Sequence, residues 1–450
     1  MNLSPEERAA DPNTGAEELW ELTNIGEPAV LAAVAQNPNS PPELLQKLFR
    51  HYPREVLSNP IIELILLELP DFFGQLCQKN YYFFARDEKI PDWILKLAIF
   101  SSNNSLRQAI ATNKNIPICY LEKLASDPDS NVRQGVAKNP KTPLSCLEKL
   151  ASDSDSNVRQ EVAKNPKTPL SCLEQLAIDS DKYVRLNIAD NAKTPLSVLE
   201  KLASDREHKV RRNIARNSKT PLSALEKLAS DREAKVRRNV AQNAKTPLSA
   251  LEKLASDSDK YVRLNIAQNA KTPRSSLEKL ASDEDNSIRC TVARKQNTPP
   301  FSLEKLARDP DNYRRWDSIR WNVARNSNTP PSSLEKLASD SDKYVRWNVA
   351  RNSNTPLSSL EKLADDRDKD VRSSVAKNSK TPPSSLEKLA SDTYIYIRRS
   401  VAKNRQTPVC ALEKLASEED NDLRCNVARN PNTPVHVLQQ FALLDVGKNT

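Results

Sequence analysis

The sequence predicts an all-α solenoid of about 16 two-helix repeats, each of about 26 residues. Three observations carry this prediction. TPLSALEKLASDREAKVRRNVAQNAK at 220–245 is followed 26 residues later by TPLSALEKLASDSDKYVRLNIAQNAK and preceded 26 residues earlier by TPLSVLEKLASDREHKVRRNIARNSK. Each unit carries two apolar stripes at helical spacing, separated by an acidic turn. Neither stripe is long enough to be a stable helix alone in water, so each unit must bury its apolar face against its neighbour.

Within 220–245, Thr220 is expected as the N-cap of the first helix (helix A), with Pro221 at its first helical position. Leu225, Leu228 and Ala229 then fall at i, i+3, i+4 and face the core. Asp231 is suited to capping the second helix (helix B), whose Val236, Val240 and Ala241 point inward. Asn243 ends helix B, at a position where a left-handed cap is tolerated.

The residue ending helix B serves as a ruler: Asn113, Asn139, Asn165, Asn191, Asn217, Asn243 and Asn269, then Lys295, then Asn326 to Asn430. The step from 295 to 326 is 31, so one repeat carries five extra residues within DPDNYRRWDSIRW. The first ninety residues obey the same ruler loosely, at Asn37, Asn59 and Asp87. Residues 1–89 are therefore expected to be degenerate repeats capping the array, with Phe83, Phe84, Trp93 and Ile94 enlarging its core. Regular repeats fill 90–432, with the insertion near 310–316, and 433–450 form a C-terminal capping helix and tail.

Composition narrows the function. Of 450 residues only five are glycine, so no phosphate-cradling Gly-rich loop can be written. The longest apolar cluster, Ile61–Leu69, contains Glu63 and Glu68 and is too short to span a bilayer, and the N-terminus lacks a basic-then-apolar signal. A soluble, non-secreted, cytoplasmic protein with no membrane partner is expected. The seven cysteines form no C-x-x-C and read as reduced packing residues, and the three histidines give no metal spacing. Nothing pairs a nucleophile with a base, so neither an enzyme nor a bound cofactor is expected.

The recurring pattern T-P-x-x-x-L-x-x-L-A-x-D…V-R-x-x-V-A-x-N resembles the leucine-rich repeat variant family over at least residues 90–444. The resemblance implies a right-handed superhelix of alternating α- and 3₁₀-helices with no sheet, so that helix B would be short or partly 3₁₀, the choice between α and 3₁₀ staying open. HEAT-like α-solenoids are the nearest alternative architecture. The founding type of the family also carries an N-terminal cysteine cluster holding a [4Fe–4S] centre. Here the first 118 residues contain only Cys77, so that metal function does not carry over.

Two sets of residues are candidates for a role. An Arg follows the inward Val or its equivalent in thirteen repeats, among them Arg133, Arg159, Arg185, Arg211, Arg237 and Arg263. An acidic residue such as Asp153, Asp179, Asp205 or Asp231 lies six before nearly all of these arginines. A residue demanded in every repeat is a building rule, so this set reads as a structural ladder and not as an anion site. Function is expected where repeats differ. The residues one before and two after that Val are expected on the face opposite the core: Tyr183/Leu186, Lys209/Arg212, Lys235/Arg238, Tyr261/Leu264, Ser318/Trp321, Tyr344/Trp347 and Tyr396/Arg399, with Trp316 in the insertion nearby. Aromatic residues beside basic ones suit a partner surface, although they could merely cover the adjacent repeat.

Charge is sorted as well. The A-to-B loops are acidic and the B-to-A junctions basic, as at Lys138/Lys141 and Lys164/Lys167. Helix-end electrostatics explains this sorting, and so would a phosphate-attracting ridge. With a net charge of +9, the favoured expectation is a non-enzymatic scaffold for a protein or peptide partner. The alternative is nucleic-acid binding through the basic helix face and ridge.

Overall fold

A computed structural model describes residues 3–78, 80–86, 90–310 and 318–446, with side chains to 442. Among the described residues the chain is entirely helical, with 34 α-helices, two 3₁₀-helices and no strand. It divides into two compact units, Met1–Lys219 and Thr220–Thr450.

Each regular repeat is a helix pair. In the first unit, helix A of one repeat is Leu144–Leu150 and helix B is Ser156–Lys164. Cys146, Leu147 and Leu150 meet Val158, Val162 and Ala163 in the core, all nearly or fully buried. The stripes expected at 225–229 and 236–241 are buried too, with Ala224 added. Removing each Leu or Val from water contributes about 1.5–3 kcal/mol, which lets helices too short to persist alone hold together. In each unit successive second helices lie directly side by side and form the tighter layer of the stack.

Of the two forms open to helix B, the structure has the short α-helix and not the 3₁₀ one. Helix B is nine residues long in most regular repeats, two longer than helix A. The two 3₁₀ segments, Thr23–Ile25 and Tyr81–Ala85, lie in the degenerate N-terminal part. An Asp cap and a full set of inward Val and Ala residues give helix B what an α-helix needs, as at Asp155, whose side chain accepts the Asn157 N–H.

Three capping expectations are corrected. The N-cap of helix A is the proline, in extended conformation, and the preceding Thr lies one residue outside. The Thr hydroxyl instead donates back to helix B: Thr168 Oγ1 reaches the Val162 carbonyl at 2.5 Å. The Asp at the end of helix A is not the helix B cap either. Asp231 accepts the Glu233 N–H at 2.9 Å, and the cap position lies two residues further on, occupied by Asp in most repeats and by Glu233 here. Finally, the Asn ending helix B is extended, with φ −66° and ψ 126° at Asn165, and not left-handed.

That Asn is committed to the preceding repeat. Asn165 Nδ2 donates to the carbonyls of Ala137 (2.8 Å) and Asn139 (3.2 Å), and its Oδ1 accepts the Lys167 N–H (2.9 Å). Those carbonyls end the previous helix B and have no intrahelical donor, so the amide completes their pairing. The same pair of contacts recurs at Asn139, Asn191, Asn269, Asn326, Asn352, Asn378, Asn404 and Asn430, and also at Asn37 and Asn59. Where Lys295 replaces the Asn, its ammonium donates to the Asn269 carbonyl, and burial lowers its pKa.

A second ladder joins the A-to-B turns. Arg159 Nε and Nη2 grip Asp179 of the next repeat at 2.6 and 3.0 Å, while Nη1 donates to the Asp153 carbonyl at 2.7 Å. Asp153 in turn receives Arg133. Arg185 with Asp205, Arg237 with Asp257 and Arg263 with Asp283 repeat the bidentate geometry, and Arg211 Nη1 donates to the Asp205 carbonyl at 2.7 Å. At Arg424 the buried Nε has no partner among the described residues.

The long repeat keeps both ladders. Arg320 still reaches the Asp309 carbonyl (2.9 Å) and Asp340 (2.7 Å), and Asn326 still reaches the Ala293 and Lys295 carbonyls (2.9 and 2.8 Å). The extra residues therefore fall between the end of helix A and the cap of helix B.

Candidate partner surface on the second helices

The two positions of the variable face behave differently. Of the residues one before the inward Val or Ile, Tyr183, Lys209, Lys235, Tyr261, Tyr344 and Tyr396 are exposed, while Ser318 is buried as the cap of its helix. Residues two after that Val or Ile are not on a free face opposite the core. Leu186, Arg212, Arg238, Leu264, Trp347 and Arg399 are half-buried, and Trp321 is only 7% exposed. Because second helices lie side by side, this position falls in the seam toward the neighbouring helix B.

The seam consumes part of the basic set. Arg238 is clamped on Asp259, the cap of the next helix B, at 2.9 and 2.6 Å, with its guanidinium 4.4 Å from the Tyr261 ring centre. The side-chain hydrogen bond from Arg238 is the main reason Asp259 sits below the usual carboxylate range. Arg399 holds Asp420 in the same way and also approaches Asp422 at 3.1 Å. Neither arginine presents the open guanidinium that a phosphate ladder would need.

In the second unit, three consecutive second helices, Ile319–Arg325, Lys343–Arg351 and Lys369–Lys377, frame a cleft of about 350 Å³. Trp321, Tyr344 and Trp347 supply its aromatic surface. Arg351 lies 4.4 Å from the Trp347 ring centre and Arg325 lies 5.4 Å from that of Trp321. Lys343 sits 5.3 Å from the Tyr344 ring centre and pairs with Asp368 at 3.0 Å, a hydrogen bond that raises the Lys343 pKa. Burial pushes the Asp368 carboxyl up, but Lys343 and the Asp370 N–H outweigh it and hold the group low. Asp370, Ser373, Ser374 and Lys377 complete the wall. The result is an aromatic slot with a mixed-charge rim, the chemistry that seats one or two anchoring side chains.

Three of the sequence-derived candidates thus converge: Trp321, Tyr344 and Trp347. Arg238 and Tyr261 meet each other, and Tyr396 packs against Tyr394 with ring centres 5.7 Å apart and planes tilted by 44°. Tyr183 and Leu186 stand on Lys182–Asp190, and Lys209 and Arg212 on His208–Arg216, both in the first unit. Trp316 and Tyr313 lie outside the described residues. Sequence reasoning missed Arg351, although an Arg four residues after a Trp on a helix is the spacing that permits stacking. It also missed Tyr394. Three of the seven cysteines, Cys119, Cys410 and Cys425, are exposed, which corrects the packing role expected for them; all seven are free thiols. Among the described residues no His/Cys/Asp/Glu group could hold a metal ion, and no helix is long and apolar enough to cross a membrane.

Helix pairs of this length, repeated and tied by backbone-directed side chains, define an all-α tandem-repeat protein. Two family profiles match directly: the Leucine Rich Repeat Variant domain over residues 4–57 and the Leucine rich repeat variant over residues 288–311. The recurring motif between and beyond these two segments is similar to that of the leucine-rich repeat variant family. Among solved structures the chain is similar to a leucine-rich repeat variant with a novel repetitive structural motif, at 27% identity. That match covers 50% of this chain and 87% of the other, with a TM-score of 0.38. A second similar structure is a computationally designed armadillo repeat protein for modular peptide recognition, at 18% identity, covering 63% of this chain and 96% of the other, with a TM-score of 0.10. No curated protein matches the chain.

Proposed function

We propose that this helical repeat protein is a non-enzymatic scaffold that binds a protein or peptide partner along the variable face of its second helices. The repeats of 90–432 form the binding array, capped by the degenerate units of 1–89 and by the helix after 433. The observation that carries this reading is the cleft bounded by Trp321, Tyr344 and Trp347. Large rigid aromatic groups beside Arg are the residue types that dominate binding energy when they receive a partner side chain. The slot is sized for an apolar or aromatic anchor, and its rim of Lys343, Arg351 and Lys377 against Asp368 and Asp370 would orient the flanking polar groups. Exposed Tyr183 and Tyr261, with Leu186 and Leu264 in their seams, would add contacts in other repeats.

The test is selection of peptides from a random library on the full chain, followed by affinity measurement on Trp347→Ala and Arg351→Ala. Both variants are expected to lose about tenfold or more in affinity, with little change in melting temperature. Selected peptides that bind the variants as tightly as the parent would remove the cleft from the interface.

A further inference from the structure

A second surface lies at the B-to-A junctions. In KTPL at 141–144, 167–170, 193–196, 219–222 and 245–248 the Leu is the first residue of helix A, where the core stripe does not require it. Leu144, Leu170, Leu196, Leu222 and Leu248 are 56–59% exposed. Lys141, Lys167, Lys193, Lys219 and Lys245, three residues before them, are exposed as well.

The fold does not demand either residue. The position of the Leu is Arg274, Pro300, Pro331 and Pro383 in later repeats, and helix A forms there all the same. The position of the Lys is Asn in other repeats, where the side chain ties junctions together: Asn354 Nδ2 donates to the Ser327 carbonyl and Asn432 Nδ2 to the Arg405 carbonyl. Five consecutive repeats therefore carry an ammonium and an exposed isobutyl group where the scaffold accepts an amide and a proline. Among these lysines Lys219 also reaches back, to the Ala192 carbonyl.

We infer that this Lys–Leu row, through Lys141/Leu144, Lys167/Leu170 and Lys193/Leu196 of the first unit, docks the protein on an anionic lipid bilayer surface. Lysines pair with headgroup phosphates and carboxylates while the leucines enter the acyl boundary, which is the division of labour of an interfacial element. Nucleic acid would use the lysines but gives leucine nothing to enter. The uniformity of the row also favours lipid. A partner protein with its own sequence is met by residues that vary from repeat to repeat, as on the second helices, whereas an identical pair in successive repeats suits a surface that is itself uniform. The surface is peripheral, in keeping with the absence of a membrane-crossing helix among the described residues.

The experiment is flotation of the full chain with neutral phosphatidylcholine vesicles and with vesicles in which about a third of the lipid is phosphatidylserine. Partitioning is expected only with the anionic vesicles. It is expected to fall about tenfold or more both in Lys141→Gln/Lys167→Gln/Lys193→Gln and in Leu144→Gln/Leu170→Gln/Leu196→Gln. Circular dichroism of both triple variants is expected to match the parent, since other repeats hold polar residues or proline at these places. Trp347→Ala is expected to float like the parent, which separates this surface from the peptide cleft. No flotation with anionic vesicles overturns the inference. So does flotation that survives the leucine triple variant, which would reduce the row to plain charge adsorption.

Discussion

The degenerate repeats before residue 86 and the regular repeats after residue 103 are held together differently. Both have the asparagine ladder: Asn37 reaches the Ala9 and Asp11 carbonyls at 2.8 Å, as Asn139 reaches those of Ala111 and Asn113. Among the described residues the arginine–aspartate ladder begins at Arg107 with Asp127. Before it, cohesion is aromatic: Phe49, Phe73, Phe83 and Phe84 pack with ring centres 5.2–6.4 Å apart. The comparison ranks the two devices. Pairing the dangling carbonyls of helix B is needed wherever two repeats stack, while the charge ladder can be exchanged for apolar volume.

The ranking can be broken by substitution. Asn165→Ala removes three hydrogen bonds and strands the buried Ala137 carbonyl, while the Asn139 carbonyl keeps the Thr142 N–H, so it is expected to destabilise by about 3 kcal/mol in urea unfolding. Asn37→Ala is expected to cost as much within its own region, measured by local hydrogen exchange. A small loss at Asn37 alone would mean that the degenerate repeats do not share the rule.

Arg159→Met comes next, at about 2–3 kcal/mol, because it leaves Asp179 partly buried without its cation. This ladder also predicts acid sensitivity. For Asp153 and Asp179 burial acts upward, but the arginine and backbone hydrogen bonds win and hold both below the usual carboxylate range. A carboxylate depressed on folding adds stability that is full above its unfolded pKa and is lost as pH falls through the folded value. Hydrogen exchange is therefore expected to show residues 130–216 losing protection below about pH 4 before residues 16–77 do. Simultaneous loss in both regions would sever the link between acid sensitivity and the ladder.

The smallest effect concerns the position one before the first buried Leu of helix A. It holds Cys146, Cys172, Val198, Ala224 and Ala250 in earlier repeats, then serines, of which Ser276, Ser302, Ser333 and Ser359 bury hydroxyls with no hydrogen-bond partner. Ser333→Ala is expected to stabilise by about 1 kcal/mol. A measured loss of stability would show that the hydroxyl is satisfied in solution.

Much of the fold was legible because its determinants are local. The stripes of Leu225, Leu228, Val236 and Val240 follow from periodicity and are buried as read. The roles of Thr168 and Asn165 were not, because the acceptors of Asn165 are main-chain carbonyls 26 and 28 residues earlier, which no side-chain pattern marks. The arginine ladder was legible as a rule but not in its direction: the acidic residue six before lends its carbonyl, and the carboxylate comes from twenty residues ahead. At the candidate site, the identities of Tyr344 and Trp347 were readable. Their unequal exposure was not, since it depends on how closely adjacent second helices lie.

The five surplus residues between helices A and B leave the Arg320 and Asn326 ties in register with the repeats on either side. Contour length at this turn is therefore decoupled from the geometry of the stack. A turn of this kind is a splice point: the chain can be lengthened there by mutation or by a grafted loop without the array having to be re-indexed.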